Sequence, residues 1–143
     1  MSQTKGLKFQ RHYTNDSTSP FDMFEYDYRT SVIKNPEGDV VFEMKNVEVP
    51  KEWSQVATDI LAQKYFRKAG VPQEDGTTGA ETSIKQVAHR LADCWKSWGS
   101  KYGYFASKKD AQIFYDELVY TIIGQFSAPN SCLLYTSPSP RDA

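Results

Sequence analysis

Apolar residues recur at helical spacing in three separate stretches of this 143-residue chain, and this periodicity constrains the fold more than any other feature. The strictest stretch follows Ser107, a suitable helix N-cap, and has Asp110 in its first turn, where a carboxylate is favourable. Its apolar positions are three or four residues apart, which predicts a helix that buries one face. They are Ala111, Phe114, Tyr115, Leu118, Val119, Ile122, Ile123 and Phe126.

A first helix is predicted nearer the middle of the chain. Pro50 can open it, because the missing proline N–H is one that a helix start leaves unpaired anyway. Gly70 and Pro72 are stop signals that end it. The predicted buried face consists of Trp53, Val56, Ala57, Ile60 and Leu61.

A second helix is predicted to begin at Ser83. The hydroxyl of Ser83 can cap the helix while Gln86, three residues on, returns the bond, which makes a capping box. Gly99 is predicted to end this helix. Its predicted buried face consists of Ile84, Val87, Ala88, Leu91, Ala92, Trp95 and Trp98.

The region before the helices has the pattern of a β-hairpin. Strand-like runs, DYRTSVIK and DVVFEMK, flank the sequence NPEG, in which Pro36 suits the second position of a type I turn and Gly38 the fourth. Residues 1–20 are polar and rich in turn formers, so we expect an extended, flexible arm. The predicted fold class is therefore α+β and mainly α, with an N-terminal β-hairpin followed by three amphipathic helices.

Composition excludes some classes of partner. With 17 basic and 18 acidic side chains the net charge is -1, which argues against a general electrostatic affinity for nucleic acid or anionic membrane. No apolar run is long enough for a membrane helix, and the first ten residues lack the apolar region of a signal peptide. We therefore expect a soluble cytoplasmic protein that binds neither membrane nor nucleic acid directly.

Motif chemistry alone indicates no self-contained active site. His12 and His89 are the only histidines. His89 falls beside the apolar stripe of its helix, which favours a surface histidine over a metal ligand. His12 adjoins Arg11 and could contact an anion, but such a basic pair in a flexible start more often has no specific role. Cys94 falls inside a helical pattern and is expected to be a small buried hydrophobic residue. The glycine-containing segment QEDGTTGAE lacks the residues of a phosphate-binding loop and is interpreted as a connector.

An ordered series of motifs identifies a family. The segments FQRHYT, SPFDMFEYDYRTSVIKNPEGDVVFE, VEVPKEWSQVATDILAQKYFRKAGVP, ETSIKQVAHRLADCW, GYFASKKDAQIFYDEL and APNS follow one another along the chain. Together they closely resemble the N-terminal domain of adenosylcobalamin-dependent (class II) ribonucleotide reductases. The resemblance runs from about Phe9 to Ser131 and assigns residues 21–131 to that domain.

The resemblance implies a part of an enzyme whose chemistry lies further along the chain. Family members convert ribonucleotides to deoxyribonucleotides with adenosylcobalamin, using cysteines within an α/β barrel. Neither Cys94 nor Cys132 matches those cysteines. The fragment alone is therefore expected to be inactive, to bind no cofactor and to have a structural role. Its implied partners are the rest of the reductase chain, the ribonucleotide substrate of the full enzyme, and further copies in a homo-oligomer.

The resemblance also implies the start of a substrate-binding loop. The family sequence at this point is NSP-x-WFN, and this chain carries Pro129, Asn130 and Ser131 of it. Ser131 is the implied substrate contact, and Asn130 is its weaker neighbour, because a hydroxyl and a backbone N–H can donate to phosphate oxygens. The alternative is a loop-start serine with no pocket of its own in the fragment.

After Ser131 the chain departs from the family. The residues Cys132 to Asp142 match a translation of the transposon end and adapter used to tag sequencing libraries, so residues 132–143 are predicted to be adapter-derived and disordered. The alternative is a natural proline-rich tail. Two other functions stay open: a free-standing helical interaction module without catalytic activity, and a nucleotide-binding regulatory domain, for which no phosphate loop is present.

Overall fold

The computed structural model of the chain describes residues 5–130. Its order of elements confirms the predicted α+β class, with a β-hairpin followed by three helices. The hairpin pairs two antiparallel strands, β1 (Tyr26–Lys34) and β2 (Val40–Pro50). The helices are α1 (Gln55–Ile60), α2 (Ile84–Lys101) and α3 (Lys108–Ile123). A π-helical turn, Leu61–Tyr65, continues α1, and two short strands, β3 (Val71–Pro72) and β4 (Thr78–Gly79), precede α2.

The hairpin turn forms as its sequence predicts. The N–H of Gly38 donates to the carbonyl of Asn35 at 2.9 Å, and the N–H of Asn35 donates to the carbonyl of Asp39 at 2.9 Å. Gly38 has a φ of 92°, a backbone conformation that glycine adopts without steric cost. This tight turn lets β1 and β2 pair along most of their lengths.

The prediction that Pro50 opens the first helix is wrong. Pro50 is the last residue of β2 and pairs with Tyr26 at the start of β1. A proline is tolerated at this strand end because no ladder bond requires its N–H. The helix begins five residues later, where the Ser54 hydroxyl accepts the N–H of Ala57 at 3.0 Å and caps α1.

The predicted buried face of α1 is also wrong in part. Thr58 and Leu61 are buried, whereas Val56 is 67% exposed and Ile60 is 42% exposed. Polar contacts with β1 set this orientation, because the Arg29 guanidinium donates to the Thr58 hydroxyl at 3.1 Å. Two apolar side chains of α1 consequently lie on the surface of the described chain.

The first helix ends at Tyr65, earlier than the predicted stop at Gly70, and a buried ion pair lies at this end. Glu81 and Arg90 are 2% and 5% exposed, and their side chains approach to 3.3 Å. Glu81 also accepts the N–H of Arg67 at 2.8 Å, and Arg90 donates to the carbonyl of Tyr65 at 3.2 Å. The pair thus binds the Arg67 N–H and the Tyr65 carbonyl, two backbone groups at the helix end. The local stop signals at Gly70 and Pro72 did not predict this end.

Helix α2 begins as predicted and ends later than predicted. Ser83 and Gln86 form the capping box. Gly99 does not end the helix, which continues to Lys101. Gly99 is buried in the last turns, and a Cβ atom there would lie 2.5 Å from the ring of Phe105. The glycine therefore makes room for an aromatic ring.

Helix α3 begins after the predicted cap, since Ser107 accepts the N–H of Asp110 at 3.2 Å. It packs along α2, and together with β2 and the first helix these elements enclose the core of the described chain. The core contains Val47, Val49, Leu61, Ala62, Phe66, Ile84, Val87, Ala88, Leu91, Ala92, Val119, Ile122 and Ile123.

Polar contacts bind the N-terminal arm to α3. Arg11 donates to the Asp116 carboxylate at 2.8 Å. The Glu117 carboxylate accepts backbone N–H groups from three consecutive residues, His12–Thr14, at 2.8 to 3.2 Å. It also accepts the Thr14 hydroxyl at 2.8 Å. Asp116 and Glu117 of α3 therefore hold residues 11–14, which belong to the arm that the sequence predicted to be flexible.

Candidate functional site

The chain leaves α3 through a defined C-terminal cap. The N–H of Phe126 donates to the carbonyl of Thr121 at 2.9 Å, and the N–H of Gln125 donates to the carbonyl of Ile122 at 3.2 Å. Gln125 has a φ of 60°, so these bonds form a Schellman motif around a left-handed residue. Phe126, predicted to continue the buried face of α3, lies beyond the helix and is 63% exposed. The cap turns the chain sharply away from the helix axis.

Beyond this cap the chain runs along an apolar groove. Residues from the turn before α1, from α1, from the start of α2 and from the end of α3 form the groove, and Ala128 and Pro129 of the exit segment complete it. We call this surface the exit groove. It is lined by Trp53, Ala57, Ile60, Leu61, Tyr65, Ile84, Val87, Ile122, Gln125, Ser127, Ala128 and Pro129.

The floor of the exit groove belongs to the hydrophobic core. Leu61, Ile84, Val87 and Ile122 are each no more than 6% exposed, yet all four line the groove. None of the lining residues carries a charge. Such a surface can bind an apolar peptide segment, but it offers no cation for a phosphate group.

The two residues implied as substrate contacts, Asn130 and Ser131, come next in the sequence. Asn130 is exposed and directly follows Pro129, the last residue of the chain that lines the exit groove. Ser131 lies outside the described residues, as do Cys132 and the rest of the predicted adapter. The role of Asn130 and Ser131 as substrate contacts therefore stays a prediction.

A polar cluster joins the hairpin to the start of α2. Glu48 accepts hydrogen bonds from the hydroxyls of Ser83, at 2.7 Å, and Tyr28, at 2.9 Å. Burial opposes ionisation of Glu48, but these bonds and the charge of Lys85 outweigh it and lower the pKa of the carboxyl group. A carboxylate held ionised in this way is suited to fixing the helix start against the hairpin rather than to exchanging protons.

His89 and Cys94 lie where the sequence predicted, His89 on the surface and Cys94 in the core. His89 is on the surface of α2, with its Nδ1 atom 2.7 Å from the Tyr115 hydroxyl. Cys94 is fully buried, and burial raises the pKa of its thiol, which disfavours the reactive thiolate. Within residues 5–130, no group of three or more histidine, cysteine, aspartate or glutamate side chains is placed to hold a metal ion.

The sequence did not predict the exit groove. Trp53, Ala57 and Ile60 were assigned to one buried helix face, but in the structure they line a surface that opens to solvent. The sequence signal that could have revealed this orientation is the pairing of Arg29 in β1 with Thr58 in α1. That contact turns the Thr58 side of the helix towards the strand, so the helix does not bury all of its apolar positions. That signal depends on knowing which strand meets which helix, which periodicity does not provide.

Comparison with known proteins gives a consistent result. The family described as class II vitamin B12-dependent ribonucleotide reductase matches residues 27–125. A vitamin B12-dependent ribonucleotide reductase of Bradyrhizobium diazoefficiens is 44% identical over 153 aligned residues, and one of Agrobacterium fabrum is 39% identical. A Streptomyces clavuligerus protein of the same name is 37% identical.

These relatives are much longer than the chain. The matches cover 87% of the chain and 12% of the Bradyrhizobium and Agrobacterium proteins, and 96% of the chain and 14% of the Streptomyces protein. The chain thus spans about an eighth of the length of the relatives it matches. No helix within residues 5–130 is both long and apolar enough to cross a membrane.

Proposed function

The chain belongs to the class II vitamin B12-dependent ribonucleotide reductase family, and on this premise we propose that it is the N-terminal portion of such an enzyme. The parent enzyme would convert ribonucleotides to deoxyribonucleotides in the cytoplasm. The observation that carries the proposal is the family match over residues 27–125 together with relatives up to 44% identical. In that enzyme the chain would have a structural role and would contain the start of the substrate-binding loop.

The cofactor would be bound elsewhere in the parent enzyme. Adenosylcobalamin supplies the radical chemistry of the family, but its corrin ring carries amide groups that need hydrogen-bond partners. The exit groove does not fit this need, because most of its lining side chains are apolar and the indole N–H of Trp53 already donates to the Ile123 carbonyl. The exit groove would therefore hold no cofactor, and we propose that the fragment alone is inactive.

The contribution of this chain to the reaction would be to position substrate. Residues 124–130 leave α3 through a fixed cap and contact the exit groove, so the loop that follows has a defined starting point. In the parent enzyme the Ser131 hydroxyl would donate to a phosphate oxygen of the ribonucleotide, with Asn130 beside it. Fixing the loop start reduces the conformational freedom that substrate binding would otherwise have to restrict.

The alternative is a free-standing helical interaction module without catalytic activity. Exposed apolar side chains weigh against this alternative, since a module evolved to be free in solution would have fewer of them. Val41 and Val56 are each 67% exposed, and Phe126 is 63% exposed. These values support a domain that is part of a larger assembly.

The test is an activity assay of a longer chain that includes the part of the reductase beyond residue 131. Residues 1–131 are joined to the polypeptide that follows the matching segment of the Bradyrhizobium relative, and we call the product the fused chain. With adenosylcobalamin, a ribonucleotide and a dithiol reductant, the fused chain is expected to form deoxyribonucleotide. Ser131→Ala is expected to raise KM for the ribonucleotide about tenfold, the effect of one lost charge-assisted hydrogen bond.

Ser100→Ala, at an exposed serine of α2, is the matched control and should leave KM unchanged. A fused chain that is folded but makes no deoxyribonucleotide would contradict the proposed function. An active fused chain in which Ser131→Ala leaves KM unchanged would contradict only the substrate contact.

A further inference from the structure

We propose that the exit groove is the docking surface for the polypeptide that follows Asn130 in the full-length reductase, which folds back over it. The inference rests on the proposed function, because it takes the rest of the reductase chain as the occupant. It adds the surface on this domain that makes the contact.

The route of the chain supports this occupant. Ala128 and Pro129 line the exit groove, so the described chain ends one residue after a groove-lining residue. The matched relatives continue far beyond this point, since the chain covers only 12% of the two most similar ones described above. A segment that begins so close in sequence to the groove is already confined near it, which lowers the entropic cost of binding there compared with a separate molecule.

The chemistry of the groove supports an apolar peptide as the occupant. The lining residues carry no charge, and the floor is made of core residues such as Leu61, Val87 and Ile122. Ile60, at the edge, is 42% exposed, and Val56 on the same helix is 67% exposed. A covering apolar segment would remove these side chains from water and would extend the core in one piece.

The orientation of α1 against β1 keeps the exit groove open to solvent. The hydrogen bond from Arg29 to Thr58, and the bond from the Ser31 hydroxyl to the Asp59 carboxylate at 2.7 Å, hold the polar side of α1 against β1. The helix therefore cannot rotate to bury Ile60 without breaking both contacts. The apolar side of α1 is available to a segment from outside the described residues.

Hydrogen–deuterium exchange of the fused chain, compared with the 143-residue chain, tests the proposal. Backbone amides in peptides covering 53–65 and 122–129 are expected to exchange at least tenfold more slowly in the fused chain. Peptides covering the hairpin tip, 35–41, serve as the internal control and should not change. Equal exchange rates of the groove peptides in the two chains would overturn the proposal.

A pair of variants gives a second measurement. Val56→Glu introduces a charge beside the exit groove, and Val41→Glu introduces the same charge on the hairpin at an equal 67% exposure. In the fused chain, Val56→Glu is expected to increase the amide exchange rate of the groove peptides at least fivefold relative to the unsubstituted fused chain. Val41→Glu is expected to leave that rate unchanged. Protection that survives Val56→Glu undiminished would contradict the placement of the segment beside α1.

The outcomes separate this inference from the proposed function. An active fused chain with unprotected groove peptides overturns the docking surface and leaves the proposed function intact. Groove protection in a folded but inactive fused chain supports the docking surface and contradicts the proposed function. If the 143-residue chain alone gains groove protection as its concentration rises, a second copy is the occupant and the proposal is wrong.

Discussion

The indole nitrogen of Trp53 donates a hydrogen bond to the carbonyl oxygen of Ile123, 2.8 Å away. The two residues are 70 positions apart, one in the turn between β2 and α1 and the other at the last position of α3. The bond satisfies one of the carbonyls that a helix end leaves unpaired. It also fixes the distance between two walls of the exit groove.

Trp53→Phe removes this hydrogen bond and keeps an aromatic ring. We expect the free energy of unfolding to fall by about 1–2 kcal/mol, because the Ile123 carbonyl loses its partner in a largely buried place. Urea denaturation followed by circular dichroism measures the change. Trp98→Phe, at a residue that is 38% exposed, is the control and should cost less than about 0.5 kcal/mol. Equal effects of the two substitutions would contradict a specific role for the bond.

Glu81→Ala tests the buried ion pair at the end of the first helix. The substitution leaves the Arg90 guanidinium buried without its carboxylate, so we expect a loss of about 3–5 kcal/mol in the free energy of unfolding. Thermal and urea denaturation of the variant provide the measurement. The control is Glu25→Ala, which removes a surface pair with Lys51 in which both side chains are more than half exposed. That pair is expected to contribute less than about 1 kcal/mol, and a comparable loss in both variants would contradict the prediction.

Glu117 makes the attachment of the N-terminal arm depend on pH. Burial opposes its ionisation, but the N–H groups of residues 12–14 and the Thr14 hydroxyl outweigh it and lower the pKa of Glu117. Because the folded-state pKa lies below the unfolded one, the ionised group stabilises the fold above the unfolded pKa, about 4.3 for glutamate. This contribution is lost as the pH falls through the folded-state pKa.

The comparison of wild type with Glu117→Gln isolates this contribution from that of other carboxylates. We expect the difference in the free energy of unfolding between the two chains to be largest near neutral pH and to shrink as the solution becomes more acidic than the ordinary glutamate pKa. Glu74→Gln, in the exposed loop between β3 and β4, is the control. A difference that stays constant between neutral and acidic pH would rule out a contribution from the charge of Glu117.

Local sequence signals predicted the parts of the fold that depend on neighbouring residues. Ser83 with Gln86, and Ser107 alone, begin their helices as predicted, because a cap is satisfied within one turn. The hairpin turn at Gly38 forms for the same local reason. Each of these features needs no information from distant parts of the chain.

The features that the sequence did not predict depend on distant partners. Pro50 ends a strand because Tyr26 pairs with it, and α1 turns Val56 outward because Arg29 binds Thr58. The exit groove escaped prediction for this reason, since its walls come from four separate elements. Asn130 is predicted as a substrate contact through family resemblance alone, because its own neighbours carry no recognisable chemical pattern, and its role stays a prediction.

Gly99→Ala tests the close approach of α2 to Phe105. Alanine favours a helix interior over glycine by about 1 kcal/mol, but the added methyl would lie 2.5 Å from the Phe105 ring. Overpacking of this kind costs about 1–3 kcal/mol, so we expect a net loss of stability. In a Phe105→Leu background the loss should disappear, which a double-mutant cycle by urea denaturation measures. An equal loss in both backgrounds would show that the ring is not the obstacle.

The central claim is that this chain is the beginning of a longer reductase, and the source DNA tests it most directly. We would amplify and sequence the DNA across the codon for Ser131. The account predicts that the reading frame continues into Pro-x-Trp-Phe-Asn and the rest of a ribonucleotide reductase. Genomic codons for Cys132 to Ala143 followed by a stop codon would contradict it and would favour the free-standing interaction module.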